Sequence, residues 1–183
     1  MLDLRRHKAQ VHEALEVLWE TRCFKYEEIG FSFPYMQQWT HMAPYMSTKQ
    51  FEEFYWPYQK KFIENIHASG NKLYMLAEGK WAHLLEFFKD VPRDNVIFNV
   101  DDDDVIDVSK VLGQYQVIAG GAKLSKLKMS SKEDNIAYAR KVLDECAGTG
   151  AFIFGCDKCW VCPGDVNQNL IDVYQWVHEN GKY

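Results

Sequence analysis

The sequence predicts an α/β fold built on a parallel sheet. Three observations carry that expectation. Four short runs, "KLYMLA" (72–77), "NVIFNV" (95–100), "YQVIAG" (115–120) and "AFIFGC" (151–156), are nearly continuous in apolar character rather than alternating, the pattern of strands buried on both faces. Stretches with helical spacing lie between them, and repeated strand-then-helix order demands crossovers and therefore parallel strands, in an open sheet or in part of a barrel. No repeat, linker or low-complexity tract interrupts the 183 residues, so 1–183 reads as a single domain.

The elements follow in order. Residues 2–21 carry a helical pattern. The aromatic-rich segment 23–46 holds one more strand with a long loop. "STKQFEEFYWPYQKKFIENIHASG" opens a helix at 47–69 on a cap at Ser47 or Thr48 and stops near Gly70. Pro57 either kinks that helix or marks its true first turn. Further helices are expected at 80–89, 103–112, 132–147 and 165–179. In 132–147, Ile136, Ala139, Val142, Leu143 and Cys146 make one apolar stripe.

Composition narrows the class. Hydrophobic residues make up 47% and charged residues 26%, enough apolar material for a real core. A formal net charge of −5 argues against a nucleic-acid backbone as partner. No apolar run approaches membrane-spanning length, and "MLDLRRHKAQ" lacks the apolar core of a signal peptide. Five cysteines, an odd number with three clustered, are expected of a reduced, cytoplasmic protein rather than a disulfide framework.

In a parallel sheet the strand C-termini share one edge, where ligands bind. "KLYMLAEG" ends on Glu78, "NVIFNVDDDD" on Asp101 and its neighbours, "YQVIAGGAK" on Gly120 and Gly121, and "AFIFGC" on Cys156. A carboxylate, an acidic cluster, a glycine pair and a thiol thus converge on one rim. Asp102 to Asp104 fit an N-terminal cap of the next helix better than a ligand set. The glycines serve a tight turn or a close backbone approach to substrate. His41, in "MQQWTHMAPYMS", is placed to line a substrate pocket, and His83 can face the same rim. His7, His12, His67 and His178 fall on helices and read as surface or satisfied side chains.

Cys156, Cys159 and Cys162 stand at three-residue intervals before Pro163, as in part of a ferredoxin-type run. That cluster needs a fourth thiolate, and neither Cys23 nor Cys146 is at its usual spacing. Zinc takes sulfur, nitrogen or carboxylate ligands in a tetrahedron, which Glu78, Cys156 and one further group can supply. Cys159 and Cys162 fall in the following loop.

The order of motifs resembles the uroporphyrinogen decarboxylase superfamily over almost the whole chain. "MLDLRRHKAQVHEAL" is similar to its "D-x-R-R-x-P-E-K-V" helix, and "YMSTKQFEEFYWPYQKKFIENIHASG" to its "M-S-x-x-x-F-x-x-F-Y-W-P" helix. "LYMLAEGKW" resembles the strand that in many members ends in His-x-Cys-Gly. "DVSKVLGQYQVIAGGAKLSKLKMSSKED" is similar to the stretch carrying "LG", "xxGNVP" and "TPEE", and "GAFIFGC" with "NQNLIDVYQWV" to the closing strand and helix. The resemblance implies the C-terminal part of a TIM (β/α)8-type barrel with four or five parallel strands. It implies too that the first strands are absent, and so few strands cannot close an eight-stranded barrel. A partner chain or a second copy is then expected to complete it, unless the chain is a truncated product.

Departures from the family pattern select a branch. Cys156 stands where uroporphyrinogen decarboxylases carry histidine, and this resembles methyltransferases that serve corrinoid proteins, in which the cysteine ligates zinc beside His-x-Cys. At those two places the chain has Leu76 and Glu78, of which only Glu78 can bind metal. Ala77-Glu78-Gly79 is similar to an "A-E-G" sequence in a related methyl-transferring branch. The function expected from this resemblance is methyl transfer from a small methylated substrate to a corrinoid on a separate protein, with zinc on Glu78 and Cys156. The alternatives are a tetrapyrrole decarboxylase, a lyase disfavoured by the missing histidine and the acidic rim, and a non-catalytic half-barrel subunit.

Overall fold

The computed structural model describes residues 2–22, 35–149, 151–158 and 167–181. Five parallel strands form one sheet in the order of the chain: β1 (Tyr35–Thr40), β2 (Lys72–Ala77), β3 (Val96–Val100), β4 (Val117–Ala122) and β5 (Phe152–Cys156). This is part of a TIM-barrel-type fold. The segment 23–46 supplies β1, within its aromatic stretch. All five residues of β3 are buried, as expected for the middle strand of a parallel sheet.

Two helices precede the sheet, α1 (Asp3–Arg6) and α2 (Lys8–Arg22), so the helix expected at 2–21 is broken at His7. After β1, the helix expected at 47–69 has three parts: α3 (Thr48–Gln50), a π-helical turn (Phe51–Tyr55) and α4 (Trp56–Ala68). Ser47 opens it through a capping box with Gln50. Pro57 lies in the first turn of α4, where its missing N–H does no harm, and the π turn ahead of it closes by the Trp56 N–H to the Phe51 carbonyl. The stretch expected as a helix at 80–89 is 3-10 over Ala82–Asp90.

Beyond β3 come α5 (Val105–Leu112), then α6 (Leu124–Met129) and α7 (Lys132–Cys146) after β4, and α8 (Gln168–Asn180) after β5. Asp104 caps α5, its side chain accepting the Ile106 N–H at 2.9 Å, which bears out the capping role read for that acidic run. The start of the helix expected at 165–179 lies outside the described residues.

The main core lies between the helices and one face of the sheet. Leu73, Met75, Val96, Phe98, Val100 and Ile118 point into it and meet Phe51, Trp81, Leu84 and Phe88. Phe98 makes edge-to-face contacts with Trp81 and Phe88 at 5.9 and 5.4 Å. A second, smaller cluster joins Ala122, Leu124, Leu127, Ala139, Leu170 and Val173 under α6, α7 and α8. Gln116 is a fully buried polar clamp at the opposite end of the sheet from the rim. It accepts the Val96 N–H at 2.9 Å and donates to the Phe88 and Pro92 carbonyls at 3.1 Å each. On the sheet face away from the helices the edge strands remain open: Tyr35 and Trp39 on β1 and Ile153 on β5 are exposed.

Candidate functional site

Parallel pairing brings the C-terminal ends of all five strands to one edge, and a cleft of about 320 Å³ opens there. Leu76, Ala77, Glu78, Asn99, Asp101, Asp157 and Lys158 line it. Leu76 and Asn99 are register partners on β2 and β3, both on the face away from the helices. The side chains of β4 at this level are small, which lets the buried Asn99 reach across to β5 and donate to the Cys156 carbonyl at 3.2 Å.

Glu78 follows directly on β2, and the loop behind it is tightly held. Gly79 has φ +82°, and a Cβ there would stand 3.3 Å from Pro44, so glycine lets the loops after β1 and β2 press together. The Gly79 N–H donates to Asp101 Oδ2 at 3.0 Å, and the Trp81 indole N–H donates to the Glu78 carbonyl at 3.0 Å. The Trp81 N–H bonds the Asp103 carboxylate. The Glu78 side chain pairs with His41 Nδ1. Thr40 and Ala77 are register partners on β1 and β2, so His41 and Glu78 are the next residues along both strands.

On the other side of the cleft, Lys158 pairs with Asp101 and lies 3.2 Å from Asp102. Burial alone would depress its ammonium, but the two carboxylates outweigh it and hold Lys158 above the ordinary lysine value. Asp157 is buried and accepts the Leu124 N–H at 3.2 Å, at the start of α6. Burial pushes its carboxyl up, against the opposing pull of that bond and of Lys158.

Of the residues expected at the site, Glu78 and Asp101 line the cleft, and His41 pairs with Glu78. Gly120 and Gly121 are not at a strand end, because β4 begins two residues later than the apolar run suggests and continues through both to Ala122. Gly121 has φ +112°, and a Cβ there would meet Phe154 at 2.9 Å and Val142 at 3.0 Å. The need for glycine at that position thus arises from packing against β5 and α7. Gly120 is similarly set against Val105 and Val100.

Cys156 shares a strand face with Phe154 and packs on the small cluster under α8, with its thiol 3.4 Å from the Tyr174 hydroxyl. Burial pushes the thiol up, against the lowering effect of that hydrogen bond. Zinc was expected on Glu78 and Cys156. Among the described residues, no three His, Cys, Asp or Glu side chains come together as a metal site requires. With Glu78 paired to His41 and the thiol bonded to Tyr174, the described residues do not form that site. Cys159 and Cys162 lie outside the described residues.

Asp157, Lys158 and Asn99 were not expected as site residues. The position of Asp157 and Lys158 directly after the last strand was a signal available for them. Asn99 is hidden inside an apolar run, and only the register reveals it. His83 does not enter the cleft; its Nε2 lies 3.1 Å from the Met46 carbonyl and ties down the loop after β1. No helix among the described residues is long and apolar enough to cross a membrane. Among curated proteins, none matches the chain. Among protein families, the sequence model described as uroporphyrinogen decarboxylase (URO-D) matches residues 4–179.

Proposed function

The chain belongs to the uroporphyrinogen decarboxylase (URO-D) family, and from that premise we propose that it is a methyl-transferring member acting on a small polar substrate at the C-terminal edge of the sheet. The observation that carries this reading is the charge of the cleft. Glu78, Asp101 and Asp157 line it, and the cation among its described lining residues, Lys158, is already paired with Asp101 and Asp102. A porphyrinogen bearing many carboxylates would meet like charge there. A neutral methylated substrate, such as an ether, alcohol or amine, would not. The methyl acceptor in this reading is a corrinoid carried by a separate protein. The open edges of β1 and β5 fit further strands of the same barrel, supplied by a partner chain or a second copy.

The test is a pair of assays on pure protein. One follows methylation of cob(I)alamin from small methylated donors, and the other follows coproporphyrinogen formed from uroporphyrinogen. Methylated corrinoid without coproporphyrinogen is the expected result. Conversion of uroporphyrinogen at a rate that Asp101→Asn abolishes would establish the decarboxylase reading in its place, and inactivity in both assays the non-catalytic one.

A further inference from the structure

We infer that Asn99 is the recognition residue of the cleft, its amide oxygen accepting a hydrogen bond from a small ammonium ligand that carries an N–H. This inference deepens the reading of the cleft as a substrate site and rests on it. Asn99 is 3% exposed, on the middle strand of the sheet, in a run that is otherwise apolar. A polar amide at such a place costs free energy unless its groups are bonded. Half of that requirement is met within the chain. Nδ2 donates to the Cys156 carbonyl at 3.2 Å, and since a carbonyl can only accept, that bond fixes which end of the amide faces β5. The oxygen is on the other branch, toward the cleft that Asn99 lines. Its register partner on β2 is Leu76, whose methyl groups cannot bond it, and no group among the described residues does.

The donors around Asn99 are spent inside the protein. The Glu78 N–H goes to the Leu76 carbonyl at 3.1 Å and the Gly79 N–H to Asp101. The Asp102 N–H goes to the Gly79 carbonyl at 3.3 Å and the Asp157 N–H to the Ala122 carbonyl at 3.1 Å. Lys158 gives two of its three N–H groups to Asp101 and Asp102. Acceptors remain, because Glu78 and Asp101 keep lone pairs beyond the partners they hold. A cleft rich in acceptors and poor in donors takes a ligand that supplies the hydrogens. An acidic rim alone does not distinguish a hydrogen-bonding cation from any other. The buried amide oxygen does, because it is a directional acceptor that only an aimed hydrogen satisfies. Leu76 and Ala77 give the rest of the ligand an apolar wall.

Three ligand types fall short of these demands. An ether has no hydrogen to give. An alcohol donates to Asn99 but has no charge to set against Glu78 and Asp101. A quaternary ammonium has the charge without the hydrogen. A primary, secondary or tertiary amine in its protonated form meets both demands, and that is the ligand class the cleft selects.

The experiment measures binding to the full chain by calorimetry, on wild type and Asn99→Leu. The probes are protonated N,N-dimethylbenzylamine, benzyltrimethylammonium and benzyl alcohol. In wild type the protonated amine is expected to bind at least about tenfold more tightly than either of the others. Asn99→Leu is expected to bring the two ions within about threefold of each other. Equal affinity for the two ions in wild type, or binding of none of the probes, overturns the inference. So does a preference that survives undiminished in Asn99→Leu, because size rather than the hydrogen bond then decides. If Asn99→Leu does not fold, carbon-13 NMR of the Asn99 side-chain carbonyl in wild type decides instead. Movement of that resonance with the protonated amine and not with the quaternary ion supports the inference; movement with neither, or alike with both, overturns it. Binding is read without turnover, so a failure to methylate cob(I)alamin counts against the methyl-transfer reading alone.

Discussion

Asp157 is the residue at which burial and charge conflict most directly. Its carboxyl is held up by burial, so the folded chain binds that proton more tightly than the unfolded chain does. The stability this contributes is complete below the ordinary aspartate range and is lost as pH rises through the folded value. Asp157→Asn keeps an oxygen acceptor for the Leu124 N–H and carries no charge. It is expected to be more stable than wild type at neutral pH, with the difference shrinking as pH falls through the carboxylate range; urea unfolding at pH 7 and at pH 3 checks this. Cys156 behaves in the same sense. With burial disfavouring the thiolate, its alkylation by iodoacetamide at pH 7 should be slower than that of a free cysteine. Tyr174→Phe should slow it further, and peptide mapping by mass spectrometry separates Cys156 from the other cysteines. Strand ends made the rim positions of Glu78 and Asp101 readable from sequence, and His41 was read from its aromatic loop. Their pairings were not readable, because a contact such as Lys158 with Asp101 joins residues 57 apart through the register of three strands.

At the level of elements, β4 concentrates the strain of the sheet. Gly121→Ala adds a methyl group within 3.0 Å of Phe154 and Val142 at a positive φ and should cost about 2–4 kcal/mol. Gly120→Ala meets Val105 at 3.3 Å and should cost less, about 1–2 kcal/mol. Urea midpoints of the two variants order them. Gln116→Leu leaves the Val96 N–H and two carbonyls without partners and should cost about 2–4 kcal/mol, with no change in the cleft; thermal unfolding measures it. Apolar runs located four strands to within two residues, since burial on both faces leaves that signature undiluted. The shift of β4 came from Tyr115 and Gln116, strand-like in type yet used as a turn and a clamp. Helix α6 has six residues, too few to show a period, and nothing in "AHLLEFFKD" distinguishes a 3-10 helix from an α-helix.

Across the whole molecule, exposure on the open side of the sheet gathers at its two margins, on β1 and β5, while Ile97 and Asn99 in its middle are buried. Amide hydrogen exchange should follow the same gradient, with β3 the slowest strand and β1 and β5 the first to exchange. The order of the strands in the sheet is also their order along the chain. Each strand therefore finds its neighbour in the one made just before it, across a helical crossover of one or more segments. A growing polypeptide can dock β2 on β1 and β3 on β2 while later residues are still being synthesised, so assembly proceeds by addition at one advancing edge. Arrest of synthesis after β3 should already leave a protease-resistant nascent fragment, whereas a circular permutant opened between β2 and β3 would have to find its central pairing last and should fold more slowly.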